Sequence, residues 1–204
     1  VRAVCGNKTG DHMGVAPTVS GQAALRSDDK APNGELEGHT CSPSKSSLCE
    51  RHTERMINMI AIGCDHGAYE LKLEIIRHLK ERGFKVKDFG CGEGEKADYP
   101  DIAFPVAESV ASGECERGIL CCGTGIGMCI AANKVRGIRA AVVTEPTSAG
   151  LTKEHNNSNI ICFGGRITGP VLALESLDAW LYSEYMGGRH QGRIDKIAQY
   201  EERK

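Results

Sequence analysis

From Met59 onward the chain alternates short apolar runs with segments whose apolar residues recur every three or four positions. Met59-Ile60-Ala61-Ile62-Gly63-Cys64 has the length and continuity of a buried strand. Leu71, Ile75, Ile76 and Leu79 then share one face of a helix predicted over 68–82 and stopped by Gly83. The second strand is predicted over 84–89, a loop over 90–100, and a second helix over 102–112 with Gly113 as its stop. Gly118 to Cys122 reads as the third strand, entering the loop Gly123-Thr124-Gly125-Ile126-Gly127 before a helix through Ala131 and Ala132. A fourth strand over 139–143, a short helix over 147–154 and a fifth strand over 159–163 follow. Pro170, suited to a first helical turn, opens a helix to Tyr182, and Gly187-Gly188 separates it from a polar helix starting near Gln191. Strands alternating with helices predict parallel pairing through crossovers, an α/β architecture.

Residues 1–58 carry no sustained period of 2 or 3.6 and are rich in Ser, Gly, Thr and Asn, with Pro17, Pro32 and Pro43. Three readings stand: a disordered extension, a processed leader, or upstream sequence translated because the true start is Met56 or Met59. Asp28, Asp29, Glu35 and Glu37 argue against an acid-poor transit peptide. The third reading is favoured, because the first core strand begins directly at Met59.

Composition narrows the function classes. A net charge of −2 gives no broad basic surface, so neither nucleic acid nor an acidic membrane is an expected partner. No apolar run approaches the roughly 20 residues that cross a bilayer, and a soluble, cytoplasmic protein is expected. Seven of the ten cysteines lie after residue 58 without the spacing of a stapled domain, and they read as reduced thiols. No Cys/His cluster has metal spacing, so neither a metal nor a cofactor is expected.

In an open parallel sheet, ligands collect at the carboxyl ends of the strands. Asp65-His66, Cys122-Gly123-Thr124-Gly125, Glu145 and Gly164-Gly165-Arg166 all follow predicted strands. The glycines of 123–127 let several N–H groups curl toward one point at a helix start, which suits negative charge, although a plain tight turn reads the same way. A dinucleotide site is a rival, with Glu145 spaced for a ribose hydroxyl, but its third glycine would be Met128 and the loop follows the third strand. Cys122 borders the loop, where N–H groups favour a thiolate acting as nucleophile or base; a small buried thiol is the alternative. Cys64, Cys121, Cys129 and Cys162 are expected to be buried and inert. Arg189 and Arg193, four residues apart with His190 beside them, fit either a phosphate clamp or a solvated helix end. Asp65-His66 and His155 equally suit ordinary loops.

Taken together, Gly63-Cys64-Asp65-His66-Gly67, Asp98-Tyr99-Pro100, Cys122 through Gly127, Ala131-Ala132-Asn133-Lys134, His155-Asn156-Asn157, Phe163-Gly164-Gly165-Arg166 and Gly187-Gly188-Arg189-His190-Gln191-x-Arg193 closely resemble type B ribose-5-phosphate isomerase, in order from Met59 to the C-terminus. The resemblance implies a Rossmann-like three-layer sandwich with a five-stranded parallel sheet and a C-terminal helix, spanning residues 59–204 as one sugar-phosphate isomerase domain. It implies metal-free interconversion of ribose 5-phosphate and ribulose 5-phosphate through a cis-enediol, in the pentose phosphate pathway. Cys122 is implied as the base, His155 as the aid to ring opening, Asp65 as a sugar contact and Thr124 as a proton relay. His66, Arg189 and Arg193 are implied to bind phosphate, and Gly123, Thr124, Gly125, Ile126 and Gly127 to meet the enediolate oxygen. Tyr99, Asn156 and Arg166 match further ligand positions. The family is homodimeric or homotetrameric, with sites shared between subunits. A hexose 6-phosphate isomerase, acting on allose or galactose, and a non-catalytic sugar-phosphate sensor are the alternatives.

Overall fold

The computed structural model describes residues 59–203; the expectation for residues 1–58 lies outside the described residues. The elements are β1 Met59–Cys64, α1 Tyr69–Glu81, β2 Lys85–Asp88, α2 Tyr99–Ala111, β3 Arg117–Cys122, α3 Ile126–Ala132, β4 Ala140–Val142, α4 Pro146–Asn156, β5 Ile160–Gly164, α5 Pro170–Tyr182, a 3₁₀ turn Gly188–His190 and α6 Gln191–Glu201. The α/β pattern read from the sequence is present, with β1 and α5 at their predicted bounds. Two helices differ. Helix α2 starts at Tyr99 and not at 102, because Pro100 falls in its first turn, where the missing N–H has no helical acceptor to lose. Helix α4 runs on to Asn156, so His155 and Asn156 stand in its last turn.

All five strands are parallel, in the order β2-β1-β3-β5-β4. That order, which periodicity does not reveal, decides where each helix lies. A parallel crossover is right-handed, so a connection moving one way across the sheet puts its helix on one face and a connection moving back puts it on the other. The β1 to β2 and β4 to β5 crossovers run in one sense, and the β2 to β3 and β3 to β4 crossovers in the opposite one. Accordingly Leu71, Ile75 and Leu79 of α1, Ala149 of α4 and Ala173, Leu177 and Trp180 of α5 pack on one face with Ile62, Ile119, Cys121 and Phe163. Ala103, Val106 and Ala107 of α2 and Met128 and Ala132 of α3 pack on the other with Ala61, Leu120, Cys122 and Cys162. The pleat thus sends the adjacent thiols Cys121 and Cys122 into opposite layers.

A charged side chain sits inside the first layer. Lys72 is 3% exposed, and its Nζ donates to Asp88 Oδ2 at 2.9 Å and to the Cys91 carbonyl at 3.0 Å. Burial pushes its pKa down, but the hydrogen bond to Asp88 and the charges of Cys64, Asp88 and Cys91 around it together outweigh it, and the net shift is upward. These bonds tie α1 to the end of β2 and to the loop that leads on to Tyr99.

Candidate active site

The carboxyl ends of β1, β3 and β5 meet in one place. At the end of β3, Cys122 is 5% exposed and its Sγ accepts the Gly125 N–H at 3.1 Å. Gly125 holds φ at +78°, a left-handed conformation that a side chain would strain, and this folds the loop back over the sulfur. The Gly165 N–H donates to the Cys122 carbonyl at 2.8 Å and the Arg166 N–H to the Gly123 carbonyl at 3.1 Å, strapping the β5 loop to the β3 loop. Gly164 permits that approach: a Cβ there would lie 2.8 Å from the Thr124 carbonyl group. From β1, the Asp65 N–H donates to the Cys121 carbonyl at 3.2 Å, and Asp65 Oδ1 accepts the Gly67 N–H at 2.8 Å. The Arg166 side chain lies against Gly123, the Tyr99 ring lies over Gly127, and Thr124 Oγ1 accepts the Ile126 N–H at 3.3 Å. His66 is exposed in the turn after Asp65 and Ile126 is exposed at the start of α3.

His155, Asn156, Arg189 and Arg193 form a second group. A crossover helix runs antiparallel to the strands, so the last turn of α4 lies at the amino ends of β4 and β5. Arg139, just before β4, fixes it there by donating from Nε to the Asn156 and Asn157 carbonyls at 3.1 and 2.9 Å. The His155 ring stacks on His190, with centroids 4.4 Å apart and planes within 4°. Arg189 Nε approaches His190 Nε2 at 3.4 Å. Arg193 lines a cavity of about 680 Å³ with Arg139, His155, Asn156 and Ile197, along the edge strand β4.

The register separates the two groups. Cys122 pairs with Gly164, whereas His155 precedes the start of β5 at Ile160; four strand steps cover about 13 Å. With bonds of about 1.5 Å, an extended five-carbon phosphate spans about 10 Å from its carbonyl oxygen to its phosphate oxygens, short of that separation. Among the described residues, no hydrogen bond or ring contact joins one group to the other within the chain.

One reading of the sequence is corrected, and the rival dinucleotide reading is set aside. Glu145 is taken up as the N-cap of α4, accepting the Thr147 and Ser148 N–H groups at 2.7 and 2.6 Å, and those bonds lower its pKa. It is not placed as a ribose ligand. Cys129, expected to be buried and inert, is half-buried: its Sγ donates to the Ala140 carbonyl at 3.3 Å and accepts from Asn133 Nδ2 at 3.4 Å, and the neighbouring Cys162 thiol brings its pKa down to about 7 against the effect of burial. Sequence reasoning also missed the His155–His190 stack, because no helical or strand period links residues on separate segments. The buried Lys72 did leave a signal: it stands three residues before Ile75 and seven before Leu79, inside the apolar stripe of α1.

The family model for ribose/galactose isomerases matches residues 60–197, from β1 to within α6. The chain belongs to the ribose/galactose isomerase family. Ribose-5-phosphate isomerase B of Escherichia coli K12 is 52% identical over 145 residues, covering 71% of this chain and 97% of the relative. The solved Clostridium thermocellum ribose-5-phosphate isomerase B superposes with a TM-score of 0.70 at 53% identity, covering 71% of this chain and 98% of that one. Ribose-5-phosphate isomerase B of Mycoplasma genitalium, solved with bound ribulose-5-phosphate, gives a TM-score of 0.69 at 42% identity, covering 72% and 97%.

Proposed function

We propose that this member of the family interconverts ribose 5-phosphate and ribulose 5-phosphate, with Cys122 as the proton-transferring base. The observation that carries the reading is the position of Cys122: a thiol at the carboxyl end of a central strand, under a loop of backbone donors, in a segment 52% identical over 145 residues to a ribose-5-phosphate isomerase B.

In this mechanism Cys122 takes the proton from C2 of the open aldehyde, the C2 electron pair forms the C1–C2 double bond, and the carbonyl oxygen becomes an enediolate. Return of the proton to C1, with the O2 proton passing to O1, gives the ketose. Donors of the 123–127 loop meet charge that exists only in the intermediate, so they lower the barrier without tightening substrate binding. A general base in this role contributes about 10² to 10⁴ in rate. Thr124 relays the proton between oxygens, and Asp65, Tyr99 and Arg166 contact the sugar.

His155 opens the furanose ring, while Arg189 and Arg193, with His66, hold the phosphate. The step of about 13 Å between the two groups, at about 3.3 Å per strand residue, supports an assembly in which a second copy supplies His155, Asn156, Arg189 and Arg193 to the Cys122 of the first. A homodimer, or a homotetramer built from such dimers, meets that requirement. Among the described residues no helix is long and apolar enough to cross a membrane, and all seven described cysteines are free, which suits a reducing cytoplasm.

The family description names galactose as well as ribose, so a hexose 6-phosphate is the second reading. Turnover of ribose 5-phosphate, allose 6-phosphate and galactose 6-phosphate at matched concentrations separates them. Fastest conversion of the pentose is expected; preference for a hexose would replace the substrate, and binding of all three without turnover would leave a sensor and sink the isomerase.

A further inference from the structure

His190 is one of few buried polar side chains in the domain, 5% exposed, and the mechanism above gives it no task. Its placement is built with care by the backbone. Gly187 and Gly188 both hold positive φ, at +60° and +55°, turning the chain sharply into the 3₁₀ turn that carries His190. The Met186 N–H donates to the Glu154 carbonyl at 3.0 Å and Ser183 Oγ reaches Glu154 Oε1 at 3.3 Å, so the segment entering that turn is pinned to the last turn of α4. The result is the parallel imidazole stack, 4.4 Å between centroids, with His155 on the cavity side.

Resting on the isomerase reading, we infer that His190 is a positioning residue for ring opening: stacked on His155, it fixes the plane of that imidazole. The groups facing His190 all act in the same sense. Burial lowers its pKa, and the charges of His155 from α4, Arg189 from its own turn and Arg193 from α6 lower it further. With His190 neutral, its ring covers one face of His155 and leaves the in-plane nitrogens to work. In ring opening the O1–H and C1–O4 bonds break while C1=O and O4–H form. One imidazole that accepts the O1 proton and returns it to O4 balances the step, and it serves only if its plane lies along both oxygens.

Direction of reaction isolates this role. Ribose 5-phosphate must be opened, whereas ribulose 5-phosphate is already acyclic, and its C1 hydrogen exchanges with solvent through Cys122 alone. His190→Ala and His190→Phe are compared with the wild type for kcat and KM on ribose 5-phosphate, and for deuterium uptake at C1 of ribulose 5-phosphate in D₂O. The expected result for His190→Ala is a loss of about 10-fold in kcat for ribose 5-phosphate, part of the 10² or more typical of a placed acid-base group, with KM and deuterium uptake changed less than about 3-fold. His190→Phe keeps a flat ring on His155 and restores most of the kcat. Equal losses in turnover and exchange would overturn the inference, since they would assign His190 to the phosphate clamp or the fold, and so would unchanged turnover. Failure of the wild type in both assays would instead count against the isomerase reading itself.

Discussion

Mixing two dead variants should make a living enzyme. Cys122→Ala removes the proposed base from the carboxyl edge of the sheet, and His155→Ala removes the ring-opening group from the amino edge, about 13 Å away along the strands. If every working site pairs one edge with the other edge of a second copy, each homo-oligomer is defective at all sites. When equal amounts are unfolded and refolded together, random pairing makes about half the dimers mixed. In a mixed dimer one site gathers both lesions and the other gathers none, so about one quarter of the wild-type sites are intact. Joint refolding should therefore restore about 25% of wild-type turnover of ribose 5-phosphate, while the same proteins mixed after folding should recover only as fast as subunits exchange. A jointly refolded sample no more active than the two variants assayed apart would refute the shared site and require His155 to serve its own chain.

Adjacent thiols give a second expectation: Cys122→Ala should abolish most turnover with the unfolding midpoint in urea little changed, whereas Cys121→Ala, in the other core layer, should lower the midpoint and spare kcat. Gly164→Ala forces a methyl against the Thr124 backbone, and overpacking of this kind costs about 1–3 kcal/mol; urea melts should show that loss together with a drop in kcat as the loop shifts. Lys72→Met breaks an ion pair whose acid is 39% exposed, so the cost should be nearer 1–3 kcal/mol than the 3–5 of a fully buried pair. Because the folded pKa of Lys72 is raised, its contribution is complete below the ordinary lysine value and is lost as pH climbs through the folded one. Wild-type stability should consequently fall more steeply above about pH 10.5 than that of Lys72→Met, and parallel curves would count against the bond.

The sequence exposed the parts of this molecule that depend on local order. The apolar run 59–64 and the stripe Leu71-Ile75-Leu79 became β1 and α1 because a continuous apolar run suits a strand covered on both faces and a period of three to four suits a helix covered on one. Tyr99, Cys122, Arg166 and Asp65 all belong to segments that follow strands or open helices, and the parallel sheet gathers such segments at one edge. His155 escaped this logic: its motif announces a helix end, but which edge that end occupies follows from the sense of the crossover and the position of β4 outside β5. The burial of His190 depends on two left-handed glycines and on contacts made across the chain, neither of which has a periodicity to read.

The placement of Cys122 and His155 at opposite edges of the sheet also bears on how the protein would respond to its own abundance. If complete sites form only between copies, their number rises with the square of protomer concentration when the protein is scarce and linearly once assembly saturates. Halving a low expression level would then quarter the capacity for isomerisation, whereas the same reduction at high expression would merely halve it.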